Sequence, residues 1–237
     1  MKISLVIPCY NEESNIDSLV KKCERFLSSK NNQLVLVNNG SSDDTEKKID
    51  EHSNISNLKK VNVSKNQGFG YGVLQGLLAS SGEVLSYTHA DMQTDPNDVL
   101  DGARLIENEN DTNFLIKGKR INKIKNNWKT LDLFVSYSMT IFESLLFQQI
   151  LYDIHAQPVI FHKDFFKLWK LPPNNMILDV YTYAFAKKKG YKILRFPVTF
   201  DKEKRLSGKG NNDTLVKTIK GSIEHLKSSI ILRFNLK

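Results

Sequence analysis

Short apolar runs alternate with helically spaced apolar positions through the first half of the chain. This is the pattern of a mainly parallel sheet with helices packed on it. Ile3 to Ile7 reads as a strand ended by Pro8, after which Ile16, Leu19, Val20, Cys23, Phe26 and Leu27 recur at helical spacing. Leu34 to Val37 reads as a second strand, closed by the turn Asn38-Asn39-Gly40-Ser41. A helix over about 43–51 follows, with Ser41 or Ser42 placed to cap it. Val61 to Val63, Val84 to Thr88 and Phe114 to Lys117 read as further strands, and 68–80 and 97–108 as helices.

The second half is less regular. Val159 to Phe161 and 192–200 read as strands, and about 179–189 as a helix. The longest apolar stretch, 131–151, is interrupted by Asp132, Glu143, Gln148 and Gln149, so it predicts an amphipathic, core-facing helix and not a membrane span. No repeat or linker divides the 237 residues, which predicts one domain.

Composition changes this picture only locally. Hydrophobic residues at 40% and charged residues at 25% fit an ordinary globular α/β chain. The apolar N-terminal run is broken at Pro8, too early for a signal-peptide core, so the protein is expected in the cytoplasm. Two cysteines, Cys9 and Cys23, predict buried thiols and neither a disulfide framework nor a zinc site. The net charge of +8 is concentrated in 187–237, where fourteen basic residues meet four acidic ones. That imbalance predicts an anionic partner near the C-terminal end. Over 214–234, Leu215, Ile219, Ile223, Leu226 and Ile230 share one helical face, which suits either attachment to an anionic membrane or packing on the domain. A nucleic-acid role would rest on charge alone, with no recognised binding motif, and is discounted.

In an open parallel sheet, ligands bind beyond the carboxyl ends of the strands. Polar clusters fall there after the first, second and fourth predicted strands: Pro8 to Glu12, Asn38 to Ser41 and His89 to Gln93. Each alone is ordinary turn chemistry. If the strands are adjacent, the three converge on one crevice. Gly68, Gly70, Gly72 and Gly76 follow the third strand, the wrong place for a dinucleotide fingerprint, and would let a helix approach the sheet closely.

VIPCYNEE, VNNGSSDDT, NQGFGYGVLQGLLASSGE and HADMQTDP, in this order and spacing, resemble the family 2 glycosyltransferases of GT-A fold. DIHAQPVIFHKDFF, LDVYTYAFAKKKGYKILRFPVTF and the KRLSG run resemble the branch containing dolichyl- and polyprenyl-phosphate sugar transferases. The resemblance implies a Rossmann-like α/β fold with a nucleotide-sugar half over 1–117, an acceptor half over 118–205, and a basic loop and amphipathic helix over 206–237. It implies inverting transfer from a nucleotide-diphosphate sugar, aided by divalent Mn2+ or Mg2+, to polyprenyl phosphate or another lipid-linked glycan acceptor. That acceptor would place the protein peripherally on the cytoplasmic face of a membrane.

The same resemblance implies roles for individual residues. Pro8, Tyr10 and Glu12 would line the nucleoside pocket, and Val37 and Asn39 would contact the base. The family usually has Asp at position 39, and an amide accepts more weakly than a carboxylate. The usual Asp-x-Asp metal motif is His89-Ala90-Asp91 here, with Gln93 able to donate a carbonyl oxygen. His89 would bind metal, contact the ribose or phosphate, or serve only the turn. Gly68 would lie against the donor. Arg120, Arg205 and Lys209 would clamp the diphosphate, or the last two would be part of a solvated basic loop. Asp179 would be the acceptor-side general base or a helix N-cap, with Asp153 as the alternative base and Gln157 beside it. Asp95 and Asp98 read as turn and cap residues. Asn39 and His89 both remove negative charge, which leaves open a non-catalytic nucleotide-sugar-binding subunit.

Overall fold

A computed structural model of the protein describes residues 1–107, 111–123, 125, 128, 130–201 and 215–236, without the side chains of 132 and 215–219. Seven strands form one sheet: β1 (Ile3–Cys9), β2 (Gln33–Asn39), β3 (Leu58–Val63), β4 (Val84–Tyr87), β5 (Phe114–Arg120), β6 (Val159–His162) and β7 (Lys192–Val198). Their order is β3-β2-β1-β4-β6-β5-β7. All neighbours pair in parallel except β6, which is antiparallel to β4 and to β5. Six strands therefore end at one edge, where β6 begins.

The chain builds outward from β1 to β3, then returns across β1 to β4. That reversal is a topological switch point, where a crevice opens between adjacent strand ends. Pro8 pairs with Val37 and Val6 with Tyr87, so the three polar clusters predicted at strand ends do sit side by side.

Helices cover both faces: α1 (Ile16–Lys22), α2 (Glu24–Leu27), α3 (Thr45–Asp50), α4 (Phe69–Ala79), α5 (Asp98–Ala103), α6 (Thr130–Phe147), α7 (Lys163–Lys167), α8 (Leu178–Lys188) and α9 (Leu215–Asn235). A 3-10 turn, Arg104–Ile106, continues α5. β1 is buried at every position because both faces are covered. Its alternation assigns Val6 to a core with Val37, Val73, Leu77 and Tyr181, and Leu5 and Ile7 to a second core with Ile16, Leu19 and Val99. Cys9 and Cys23 are free, buried thiols in that second core.

Gly76 brings α4 against the sheet: a Cβ there would lie 2.2 Å from Val6 Cγ1 and 2.9 Å from Val37 Cγ2. Gly76→Ala is therefore expected to cost about 1–3 kcal/mol of stability by overpacking, read from urea denaturation. An unchanged midpoint would contradict this packing.

One helix departs in part from expectation. α6 turns Leu146 and Phe147 to the core but leaves Leu131, Phe134, Tyr137, Ile141 and Leu145 exposed, while Glu143 is fully buried. The burial of Glu143 is made tolerable by α9, whose His225 Nε2 lies 3.0 Å and Ser229 Oγ 2.5 Å from Glu143 Oε1. α9 thus docks through His225, Ser229 and Leu232, and Arg233 Nε donates to the Leu146 carbonyl at 2.9 Å. Ile223 and Ile230, on the stripe read as either membrane-facing or packed on the domain, are exposed.

Candidate active site

The loops after β1 and β2 form one wall. Asn11, at φ 54°, donates its N–H to Ser41 Oγ (3.1 Å) and accepts from the Ser42 N–H (2.9 Å) through Oδ1. The Glu12 N–H donates to Thr45 Oγ1 at 2.8 Å, and the Asp44 N–H to the Glu13 carboxylate at 2.8 Å. Ser41 and Ser42 therefore hold Asn11 and do not cap α3, whose N-cap is Asp44. From this wall Tyr10 projects with 49% of its surface accessible, so its ring face is available for stacking. Glu12 accepts from Asn15 Nδ2 at 2.5 Å, which anchors its carboxylate beside the start of α1.

Pro8 and Val37 are buried beneath the wall. Val37 is fully enclosed in the core, which leaves its backbone to meet a base. Two residues on, Asn39 shares its face of β2. Its Nδ2 donates to the Gly68 carbonyl at 3.0 Å, while its Oδ1 is buried without a partner among the described residues. Such an orphaned acceptor suits a ligand N–H. Gly68 holds φ at 106°, and a Cβ there would stand 2.5 Å from the Asn174 carbonyl, so only glycine fits at this entry to α4.

Across the switch point, β4 is followed by Thr88, whose hydroxyl lies 3.2 Å from that of Thr94. The His89 ring lies 4.7 Å from the Phe69 ring, centroid to centroid. Ala90 is buried in the core, so only its backbone can meet a donor. Asp91 Oδ1 accepts from the Gln93 N–H at 3.2 Å, and its other oxygen accepts no hydrogen bond from the described residues. Asp95 makes the expected turn, accepting from the Asn97 N–H at 2.9 Å. Asp98 is not a cap; it lies in the first turn of α5, where burial, then Asp95 and Asp101, push its carboxyl up to about 7.

Among the described residues no three His, Cys, Asp or Glu side chains gather around one point. His89 and Asp91 supply one imidazole and one carboxylate, and Gln93 a neutral amide. A set this sparse fits an ion that completes its shell with diphosphate oxygens.

Asp179 is a fully buried hub. It accepts from Tyr87 Oη (2.9 Å), Gln157 Nε2 (3.0 Å) and His155 Nδ1 (3.0 Å). α8 starts at Leu178 with Ile177 as its cap, so Asp179 is no N-cap. Burial would raise its carboxyl pKa, but the His155 hydrogen bond and the Lys117, His155 and His89 charges outweigh this and hold it below the usual range. Asp179 is without solvent access, and its partner His155 has a side chain that is 32% accessible. Burial lowers the His155 pKa against the opposing pull of Asp179, so the imidazole is neutral at neutral pH. His155 was missed as a site residue; it lies in DIHAQP, but only the fold pairs it with Asp179.

Lys117, in the middle of β5, is also fully buried, and its Nζ makes no hydrogen bond. Burial depresses its pKa to about 7, partly offset by Asp179. The unfolded lysine stays protonated to about 10.5, so above pH 7 the unfolded state binds more protons and stability rises with pH. Between pH 7 and about 9 the wild type should gain about 1–2 kcal/mol relative to Lys117→Met in urea denaturation. A pH-independent difference would contradict this.

Arg120 and Asp153, expected as clamp and alternative base, pair with each other. The Arg120 N–H donates to Asp153 Oδ2 at 2.6 Å and Nε to Oδ1 at 2.5 Å, and Nη2 also pairs with the carboxylate. The guanidinium stacks over Trp128 at 4.8 Å. Burial raises the Asp153 carboxyl, but Arg120 overrides it and keeps the group ionised. Beside this pair opens a cavity of about 610 Å³ lined by Lys119, Lys123, Lys125, Leu133 and Tyr137, among others. Arg205 and Lys209 lie outside the described residues.

A sheet with this switch point, covered on both faces and carrying its polar loops at one edge, defines a Rossmann-like α/β fold. Residues 4–193 match the profile of glycosyl transferase family 2, and the chain belongs to that family. It is 32% identical over 111 residues to a dolichol-phosphate mannosyltransferase of Pyrococcus furiosus, covering 47% of this chain and 32% of that protein. It is 30% identical over 104 residues to the undecaprenyl-phosphate 4-deoxy-4-formamido-L-arabinose transferase of Proteus mirabilis, covering 41% and 31%. The matched region thus spans about a third of the length of each of these relatives. Glucosyl-3-phosphoglycerate synthase of Mycobacterium tuberculosis, solved with Mn2+, UDP and phosphoglyceric acid, superimposes with a TM-score of 0.72 at 15% identity, covering 98% of this chain and 78% of that one. The fold is GT-A.

Proposed function

We propose that this protein transfers a sugar, with inversion, from a nucleotide-diphosphate donor to a lipid-linked acceptor, with polyprenyl phosphate as the first choice. The observation that carries the reading is that β1 and β2, which lead to Tyr10 and Asn39, and β4, which leads to Asp91, are neighbouring parallel strands ending at one edge of the sheet. Tyr10 would stack on the base and the Asn39 Oδ1 would accept from its N–H. Asp91, with His89 and Gln93, would hold a divalent ion, which supplies positive charge against the departing diphosphate. The M. tuberculosis synthase was solved with Mn2+ and UDP-glucose, which supports this choice of cofactor and donor class.

The acceptor side is supported by the lysine-lined cavity at the end of β5. Lys119, Lys123 and Lys125 would attract a phosphate headgroup. A phosphate is already ionised and needs no base, so the His155–Asp179 pair would shape the acceptor pocket. Both curated relatives act on polyprenyl-type phosphates by name, which favours this acceptor. Mixing sugar nucleotide, manganese and polyprenyl phosphate should release free nucleotide and form a glycosylated lipid phosphate. Turnover with a polysaccharide intermediate instead would reject the acceptor.

A further inference from the structure

His155 is gripped at one ring nitrogen and leaves the other unused. Its Nδ1 lies 3.0 Å from Asp179 Oδ2. Asp179 also accepts from Tyr87 Oη and Gln157 Nε2, and its carboxyl is held below the usual range, so it stays an ionised acceptor and Nδ1 carries the hydrogen. The His225 ring of α9 meets the His155 ring edge-on, with centroids 5.3 Å apart and planes at 78°. His225 is itself fixed, its Nε2 3.0 Å from Glu143 Oε1 on α6. The His155 imidazole is thus set in tautomer and orientation. Its Nε2 makes no hydrogen bond among the described residues, and the side chain is 32% accessible.

The surroundings decide what Nε2 can meet. The charges acting on His155 are Asp179 from α8, His225 from α9 and Arg120 from β5. Tyr152 and Asp153, just before it in the chain, line the cavity of about 610 Å³ together with Lys119, Arg120, Lys123 and Lys125. These cations draw an anion to this side of the sheet. With no anion bound, burial keeps the imidazole neutral against the pull of Asp179. A phosphate dianion beside Nε2 adds a second negative partner, and an opposite charge at hydrogen-bond distance favours the imidazolium. That imidazolium has one N–H for each anion: Nδ1–H for Asp179 and Nε2–H for a phosphate oxygen.

We propose that His155 is a ligand of the acceptor phosphate, taking a proton from solvent onto Nε2 as the phosphate binds and bridging it to Asp179. The proposal rests on the lipid-phosphate reading and adds to it a named contact and a proton linked to binding.

Titration calorimetry with geranyl phosphate, a short soluble isoprenyl phosphate, tests it at pH 7 in two buffers of different ionisation enthalpy, which together count the protons exchanged. The ligand, with a second pKa of about 6, is already mostly dianion and releases little itself. The wild type should take up at least about half a proton per geranyl phosphate bound, and geraniol should cause no uptake. His155→Asn keeps an N–H for Asp179 but has no titrating ring. It should melt close to the wild type, take up no proton and bind geranyl phosphate at least about tenfold more weakly. Should the variant melt early, the wild-type proton count still decides. Binding by the wild type without proton uptake would overturn the proposal while leaving the lipid-phosphate reading in place. Uptake that persists in His155→Asn would overturn it too, by moving the proton to another group such as Lys117. A wild type that binds nucleotide but not geranyl phosphate would overturn the acceptor reading and this proposal together.

Discussion

Asp91→Ala is expected to lower the rate of sugar transfer by about two to three orders of magnitude while leaving the melting temperature nearly unchanged. The two halves of that expectation have separate causes. Asp91 contributes little to the fold: one oxygen accepts from the Gln93 N–H, and the other meets no donor among the described residues. Removing a loop carboxylate of this kind usually shifts stability by no more than about 1 kcal/mol. Its expected value lies in the charge it places beside a leaving diphosphate, where His89 and Gln93 offer no second carboxylate. Steady-state kinetics with paired thermal melts decide the matter. A variant that turns over at close to the wild-type rate would remove Asp91 from the site, and one that melts far earlier would make it structural.

Asp179→Ala should do the reverse and act first on stability, costing about 3–5 kcal/mol. The carboxylate is the common acceptor for Tyr87, Gln157 and His155, and its charge acts against the burial penalty on Lys117. Its removal leaves several buried donors without a partner in one step, which is where single substitutions become severe. The pH dependence follows in sign from the depressed carboxyl. Its contribution is present above the unfolded carboxylate pKa of about 3.8 and is lost as pH falls further, so the gap between wild type and variant should close in acid. Asp179→Asn, which preserves shape, should cost less. Denaturation of Asp179→Ala within about 1 kcal/mol of wild type would show that the hub is not holding α8 to the sheet.

The sheet was legible because its strands are short apolar runs ended by Pro, Gly and Asn, a signal that survives without tertiary context. The edge clusters were legible for the same reason: Tyr10, Asn39 and Asp91 follow those runs directly. The acceptor side was not, because its partnerships are made by the fold. Arg120 and Asp153 each read as a free functional charge until a separation of 33 residues closed into an ion pair. Asp179 resembled a helix cap because its neighbours in sequence are helical, whereas its partners come from β4 and from the segment before β6. α6 misled for a different reason. Periodicity identifies an apolar stripe but not the direction it faces, and here Glu143 points inward because α9 supplies His225 and Ser229 to receive it.

In the proposed function a nucleotide diphosphate is held at the switch point by an ion that Asp91 helps to bind. Calorimetric titration of UDP, GDP, CDP and TDP into the wild type, with and without Mn2+, tests it most directly. One nucleotide should bind at least about tenfold more tightly with the ion present, and Asp91→Ala should erase that gain. A folded protein that binds none of the four, or binds one with the same affinity whether or not the ion is added, would contradict the account.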